Sequence, residues 1–235
     1  MLPRGTTLLT MRFPIPALAA LLTACTGAPA SLAPVGMMPV TAGQVRSWVG
    51  TTLPGAPTSI QYGAVFTDQH SATSKGRGTI SILPGDSLRF DFTGPLGMGR
   101  SAAAVVGDSA LWAEPKEDVE KLVPSYPLLW AMVGVARPPS AGDNLKGLQR
   151  GAVTAWQYLG SRDTVTYVRT IRELLVEVRR DGRAFGRVTT TFGVDGVISK
   201  SRLEVSSPQA RLDITYRKVL YVKGFDKGIW NAPGR

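Results

Sequence analysis

The chain has 235 residues, 43% of them hydrophobic, with 27 Lys+Arg against 17 Asp+Glu for a net charge of +10. That apolar content suffices for a packed core and excludes a wholly disordered chain. One histidine and one cysteine are too few for a zinc site of the usual kind, and they exclude an intramolecular disulfide.

At the N-terminus Arg12 precedes an apolar run from Phe13 to Leu22, which ends in Leu22-Thr23-Ala24-Cys25. A short positive region, an apolar stretch and small residues before a cut predict a secretory signal over residues 1–24. The run is shorter than the roughly 20 apolar residues that span a bilayer. Met11 would begin a more compact signal than Met1. Leu-Thr-Ala-Cys resembles the lipobox of bacterial lipoproteins, which implies that the Cys25 thiol takes a diacylglyceryl group and becomes the new N-terminus. Two or more acyl chains anchor stably where one is marginal. A lone Cys is more often a buried small hydrophobe, but Cys25 stands where a signal should end. Thr26 follows it instead of Asp, which on the same resemblance implies sorting to the outer membrane. Residues 25–40, rich in Gly, Ala, Pro and Ser without a period, read as a flexible tether. Residues 41–235 read as one β-rich domain.

Thr41 as N-cap, followed by Val45, Trp48 and Val49, predicts a short helix over 41–49. Beyond Pro54-Gly55-Ala56-Pro57 the pattern changes to period two. Ile60, Tyr62, Ala64 and Phe66 alternate, Ile80 and Ile82 follow a loop containing His70 and Lys75-Gly76-Arg77-Gly78, and Leu88, Phe90 and Phe92 alternate with Arg89 and Asp91. This predicts an antiparallel meander with one buried face. Gly94 to Gly99 reads as a turn, or as an exposed apolar tip made by Leu96 and Met98. Ala102–Val106 and Ala110–Ala113 are two further strands. A charged helical piece at 116–122 leads to 126–135, apolar nearly all round and therefore buried or lying in a groove. After a loop to about Gly151 the strands return at 152–159, 164–170, 174–179, 185–192, 197–206 and 211–216, with Tyr221–Phe225 as a further candidate. Asp181-Gly182 and Asp195-Gly196 mark hairpin turns. About ten strands and a few helices make an all-β or α+β domain.

Charge is unevenly placed. Residues 25–149 hold nine basic and nine acidic residues, and residues 150–235 hold sixteen and eight. Export excludes a nucleic-acid partner, which leaves a solvated basic face or one that approaches anionic headgroups.

The segment Gly78-Thr-Ile-Ser-Ile-Leu-Pro-Gly-Asp-Ser-Leu-Arg-Phe-Asp-Phe-Thr-Gly-Pro-Leu-Gly97, the helix at 41–49, the insertion around Leu128–Val135 and the late strand Ile214-Thr-Tyr216 resemble the LolA/LolB-like lipoprotein-carrier superfamily. The resemblance implies an α+β fold, mainly antiparallel: a curved, unclosed, barrel-like sheet covered by a few helices. It also implies an apolar cavity for acyl chains. No longer protruding loop with an exposed leucine, like the one by which the membrane-anchored carrier delivers cargo, is recognisable here.

Catalytic residues are scarce. His70 shares a polar loop with Asp68, Ser71 and Ser74, and loop neighbours seldom adopt triad geometry. Gly76-Arg77-Gly78 lacks the strand-to-helix context of a dinucleotide loop. No enzyme activity, metal or cofactor is expected. The expected function is a monomeric binding module, lipid-anchored in the bacterial envelope on the periplasmic side of the outer membrane, that takes a lipid or an acylated lipoprotein. Tyr62, Phe66, Leu88, Phe90, Phe92, Trp112, Leu129, Trp130, Met132 and Val133 are its candidate walls, with the helix at 126–135 as a lid. The alternative is an assembly-partner lipoprotein that docks on envelope proteins and encloses no ligand, marked by an exposed apolar patch.

Overall fold

The computed structural model describes residues 31–70, 72–95, 99–116 and 125–232. The signal, Cys25, the apolar tip residues Leu96 and Met98, and most of the charged piece at 116–122 lie outside the described residues.

Strand β1 (Met38–Pro39) is followed by helix α1 (Ala42–Gly50). A first meander comprises β2 (Thr58–Thr67), β3 (Thr73–Leu83), β4 (Ser87–Thr93), β5 (Arg100–Val106) and β6 (Ser109–Glu114). Helix α2 (Tyr126–Met132) separates it from a second meander. This comprises β7 (Asn144–Arg150), β8 (Val153–Leu159), β9 (Asp163–Arg169), β10 (Glu173–Arg180), β11 (Arg183–Phe192), β12 (Ile198–Ser206) and β13 (Gln209–Tyr221). Pairing of β13 with β2 joins the meanders into one 13-stranded sheet, ordered β1-β7-β8-β9-β10-β11-β12-β13-β2-β3-β4-β5-β6. Every pair is antiparallel, and β1 and β6 remain as edges. The fold is therefore α+β and mainly antiparallel, a curled and unclosed sheet with two α-helices among the described residues.

Local chemistry explains the elements. Thr41 caps α1 as read, its hydroxyl accepting from the Gln44 N–H at 3.2 Å while the Gln44 side chain accepts the Thr41 N–H at 3.1 Å. This reciprocal capping box satisfies two otherwise orphaned donors. Asp181 and Gly182 both adopt positive φ, 49° and 75°, as a two-residue hairpin of matching twist requires.

Four readings change. Residues 144–150, read as loop, form β7. Its buried inward position is Gly147, where a Cβ would meet the Trp48 ring at 2.5 Å, so the strand carries little apolar signal. Lys75-Gly76-Arg77-Gly78, also read as loop, continues β3. Tyr221–Phe225 is no separate strand, because β13 runs to Tyr221 through an irregularity near Arg217. The stretch before 41 is laid on the sheet in part: Met38–Pro39 pair with β7, and the Leu32 N–H donates to Glu177 at 3.2 Å.

Leu32 reaches the outer face of β10, where Glu177 is 1% exposed and ion-paired with Arg187 at 2.6 Å and Arg179 at 3.5 Å. Removing one partner of a buried pair strands the other charge, at a cost of roughly 3–5 kcal/mol. Arg179 and the Leu32 N–H would remain beside Glu177 after Arg187→Ala. That variant is therefore expected to lose about 2–3 kcal/mol, read as a lower denaturant midpoint with unchanged m-value.

Candidate functional site

The inner face of the sheet is apolar, and the two helices cover only part of it. Helix α1 lies over β7, with Trp48 beside Trp156 at 6.1 Å between ring centroids. Trp156 in turn stacks on Tyr167 at 5.1 Å. Helix α2 lies over β10 to β12, where Leu128 packs so closely on Gly186 that a Cβ there would meet it at 2.8 Å.

Buried hydrogen bonds hold the C-terminal end of α2. The Thr190 hydroxyl donates to the Ala131 carbonyl at 2.6 Å, and the Tyr216 hydroxyl donates to that of Met132. Burial pushes the Tyr216 phenol above its ordinary range, so it remains a neutral donor. Gly134, at φ 79°, turns the chain tightly under the Phe192 ring. The chain continues through buried Val135, Ala136 and Arg137. The carbonyl of Arg137 accepts the Tyr158 hydroxyl at 2.8 Å, its guanidinium donates to Asp108 at 3.1 Å, and it lies 5.0 Å over the Trp130 ring.

The other flank of α2 faces a gap. Leu129, Met132 and Val133 form one side of a cavity of about 280 Å³, with β13, β2, β3, β4 and β5 opposite. Of the ten residues expected as walls, Tyr62, Phe66, Leu88, Phe90, Phe92, Leu129, Met132 and Val133 line it. Ala64, Ser74, Ile80, Ser101, Leu212 and Ile214 complete it. These six lie at inward positions of strands; the alternation signals Ala64, Ile80, Leu212 and Ile214, whereas Ser74 falls in the stretch read as loop and Ser101 just before the strand read from Ala102. The lining is almost wholly apolar and partly open to solvent.

Two glycines shape the floor. A Cβ on Gly76 would fall 2.2 Å from the Phe92 ring, and one on Gly78 would fall 1.9 Å from the Asp91 carbonyl and 2.6 Å from the Tyr62 hydroxyl. Both rings therefore lie flat on β3, and glycine inside a strand marks such close approach. The Tyr62 hydroxyl donates to the Asp91 carbonyl at 3.1 Å. Burial, then the Asp91 carboxylate, raises its pKa far above the usual phenol value.

The remaining two expected walls lie elsewhere. Trp130, 2% exposed, points away from the cavity and donates its indole N–H to the Gly107 carbonyl at 2.9 Å. Trp112 contributes to a separate recess, and its indole stacks under Arg89 and donates to the Trp230 carbonyl at 2.7 Å. His70 sits exposed at the β2–β3 turn. There Asp68 accepts the backbone N–H groups of His70 and Ala72, a turn role and not one of orienting an imidazole. Among the described residues no group of three or more His, Cys, Asp and Glu could hold a metal ion.

The structure is thus an unclosed antiparallel sheet curled around a short helix, with an apolar space between them. No family model matches the sequence, and no curated protein matches it. Among solved structures, a domain from Vibrio parahaemolyticus assigned to outer-membrane lipoprotein sorting aligns over 81% of this chain and 97% of its own. Its TM-score is 0.51 at 8% identity. A LolA superfamily protein from Nitrosomonas europaea aligns over 82% of this chain and 98% of its own, at 11% identity and a TM-score of 0.39. The fold is LolA/LolB-like.

Hydrogen bonds from β11 and β13 tie α2 to the sheet as a roof over the cavity. Trp130→Ala is therefore expected to cost roughly 3–5 kcal/mol, as a buried Trp truncation does. Affinity for an apolar ligand in the cavity should remain within about threefold of wild type, a shift of under 1 kcal/mol. Thermal unfolding and ligand titration on the same preparation read both.

Proposed function

We propose that this chain is a lipid-anchored lipoprotein of the bacterial envelope whose domain holds an acyl chain, free or attached to a lipid or lipoprotein. The observation that carries the reading is the cavity itself. At about 280 Å³ with an apolar lining, it lies near the lower end of the roughly 300–1,000 Å³ of ligand sites. Each methylene buried there contributes about 0.8 kcal/mol. Few polar groups stand in the wall, so shape and length would select the ligand more than charge. Ser74 and Ser101 lie on the lining at strand ends, where an ester or carboxyl group would meet water. An apolar interior space also separates this reading from a lipoprotein that only docks on partners.

Anchoring rests on Leu22-Thr23-Ala24-Cys25, with residues 1–24 as the signal. Thr26 after the cysteine supports the outer membrane as destination. The Vibrio domain of similar fold, described by its assignment to outer-membrane lipoprotein sorting, supports the envelope setting. Transfer of lipids or lipoproteins during outer-membrane biogenesis is the process that these features fit.

Titration of the delipidated domain with a fluorescent fatty acid is expected to saturate at micromolar concentrations. Leu212→Asp, which puts a carboxylate on a half-buried cavity wall, should weaken that binding at least tenfold, because burying an unpaired charge is costly. Absence of saturable binding by the wild type ends the acyl-chain reading. For the anchor, Cys25→Ala is expected to yield precursor that stays in the aqueous phase on detergent partition. A variant that enters the detergent phase like wild type ends the lipobox reading.

A further inference from the structure

The cavity has a neighbour. A second recess of about 370 Å³ lies under the free edge of the sheet, between β5, β6 and the start of α2. Phe90 and Leu129 line both spaces, so these two side chains form the wall between them.

Small residues on the edge strands account for the recess. Ala103 on β5 stands directly opposite Phe90 on one side and Ala113 on the other, and Ala110 lies further along β6. A methyl group at each position leaves unfilled what a leucine would fill, and the surrounding atoms lose those contacts. Tyr126 borders the recess from α2, its hydroxyl accepting the Ala110 N–H at 2.9 Å, which holds helix and edge strand apart at a fixed distance. The two wall residues come from different elements. Phe90 rises from the middle of β4, between Ile80 and Ala103 in register, and Leu129 descends from α2. Neither carries a polar group to fix it, so only packing holds the partition.

We propose that Phe90 and Leu129 set the length of apolar chain the protein accepts, ending the first cavity and shutting off an alanine-floored recess that a longer chain would otherwise enter. This deepens the acyl-chain reading above and rests on it.

Saturated fatty acids of increasing length, displacing a fluorescent fatty acid from the wild type, are expected to bind more tightly with length and then reach a plateau. In Phe90→Ala the rise should continue beyond that length, at about fourfold per added methylene. Combining Phe90→Ala with Ala103→Leu refills the recess and should restore the wild-type plateau, while Ala103→Leu alone should leave the wild-type profile unchanged. If Phe90→Ala fails to fold by circular dichroism, Leu129→Ala opens the same wall from the helix and is read the same way. Intact binding with every length weakened alike and the plateau unmoved would overturn the partition and leave the pocket standing. Failure of the wild type to bind any length overturns both.

Discussion

The inner face of this protein depends on how two consecutive carbonyls at the end of α2 are satisfied. A seven-residue helix is far below the length at which a helix persists unaided, so tertiary contacts must fix it. Buried carbonyls left unpaired would cost about 1–3 kcal/mol each. The Thr190 hydroxyl on β11 and the Tyr216 hydroxyl on β13 meet those of Ala131 and Met132. Because the two donors stand on strands separated by β12, they set both the height and the lateral position of the helix over the sheet. Leu128 then packs on Gly186 of β11, and Trp130 is buried toward the Gly107 carbonyl between β5 and β6. Leu129, Met132 and Val133, on the other flank, face β13 and the strands of the first meander, and the space left between them is the cavity.

Period-two alternation made most of this legible in advance. Strands with full-sized inward side chains, such as Leu88-Phe90-Phe92 or Leu203-Val205, could be read directly, and so could the Thr41 cap and the Asp181-Gly182 turn. What escaped notice shares one cause: an inward glycine contributes no hydrophobic signal. Gly147 sits beneath Trp48, and Gly76 and Gly78 sit beneath Phe92 and Tyr62, so β7 and half of β3 looked like loops. The charges Lys75 and Arg77, alternating with the two glycines, were the available clue. Trp130 and Trp112 were misplaced for another reason. Sequence period gives a face, but not which neighbour an indole N–H will find, and the Gly107 and Trp230 carbonyls lie far away along the chain.

The outer face is organised by the two ends of the described chain. Leu32 reaches Glu177 on β10, while Val222 to Trp230 returns over the first meander. There the Val222 N–H donates to the Pro57 carbonyl at 2.8 Å, and Arg89 donates to that of Ile229. The two segments cover Glu177, Ser81 and Ala104, which would otherwise face water. The basic charge of the second half is in part paired, although its net excess is not: Arg202 and Arg211 share Asp213 at 2.7 and 2.6 Å, and Arg187 meets Glu177. Desolvation opposes but does not cancel the two guanidinium contacts that hold the Asp213 carboxyl below its ordinary range. The two Asp213 pairs are partly exposed, so each stabilises only modestly. Their effect is to order arginines across adjacent strands instead of leaving one undivided cationic field.

Why the cavity stays open follows from the same residues that hid β3. A strand interior disfavours glycine by roughly 0.5–1 kcal/mol relative to alanine, because so much backbone freedom is lost. Two glycines at consecutive inward positions, directly opposite Tyr62 and Ala64 on β2, therefore work against stability. In exchange the Tyr62 and Phe92 rings lie down on the sheet where side chains on β3 would hold them upright. Upright rings would project toward Leu129 and Met132 and occupy the space between sheet and helix. The floor of the cavity is thus made by omission, with the rings supplying a smooth apolar surface and the missing Cβ atoms supplying its depth. A sequence selected only for a dense core would place valine or isoleucine at both positions, as it does at Ile80 and Ile82 two and four residues further along the same face.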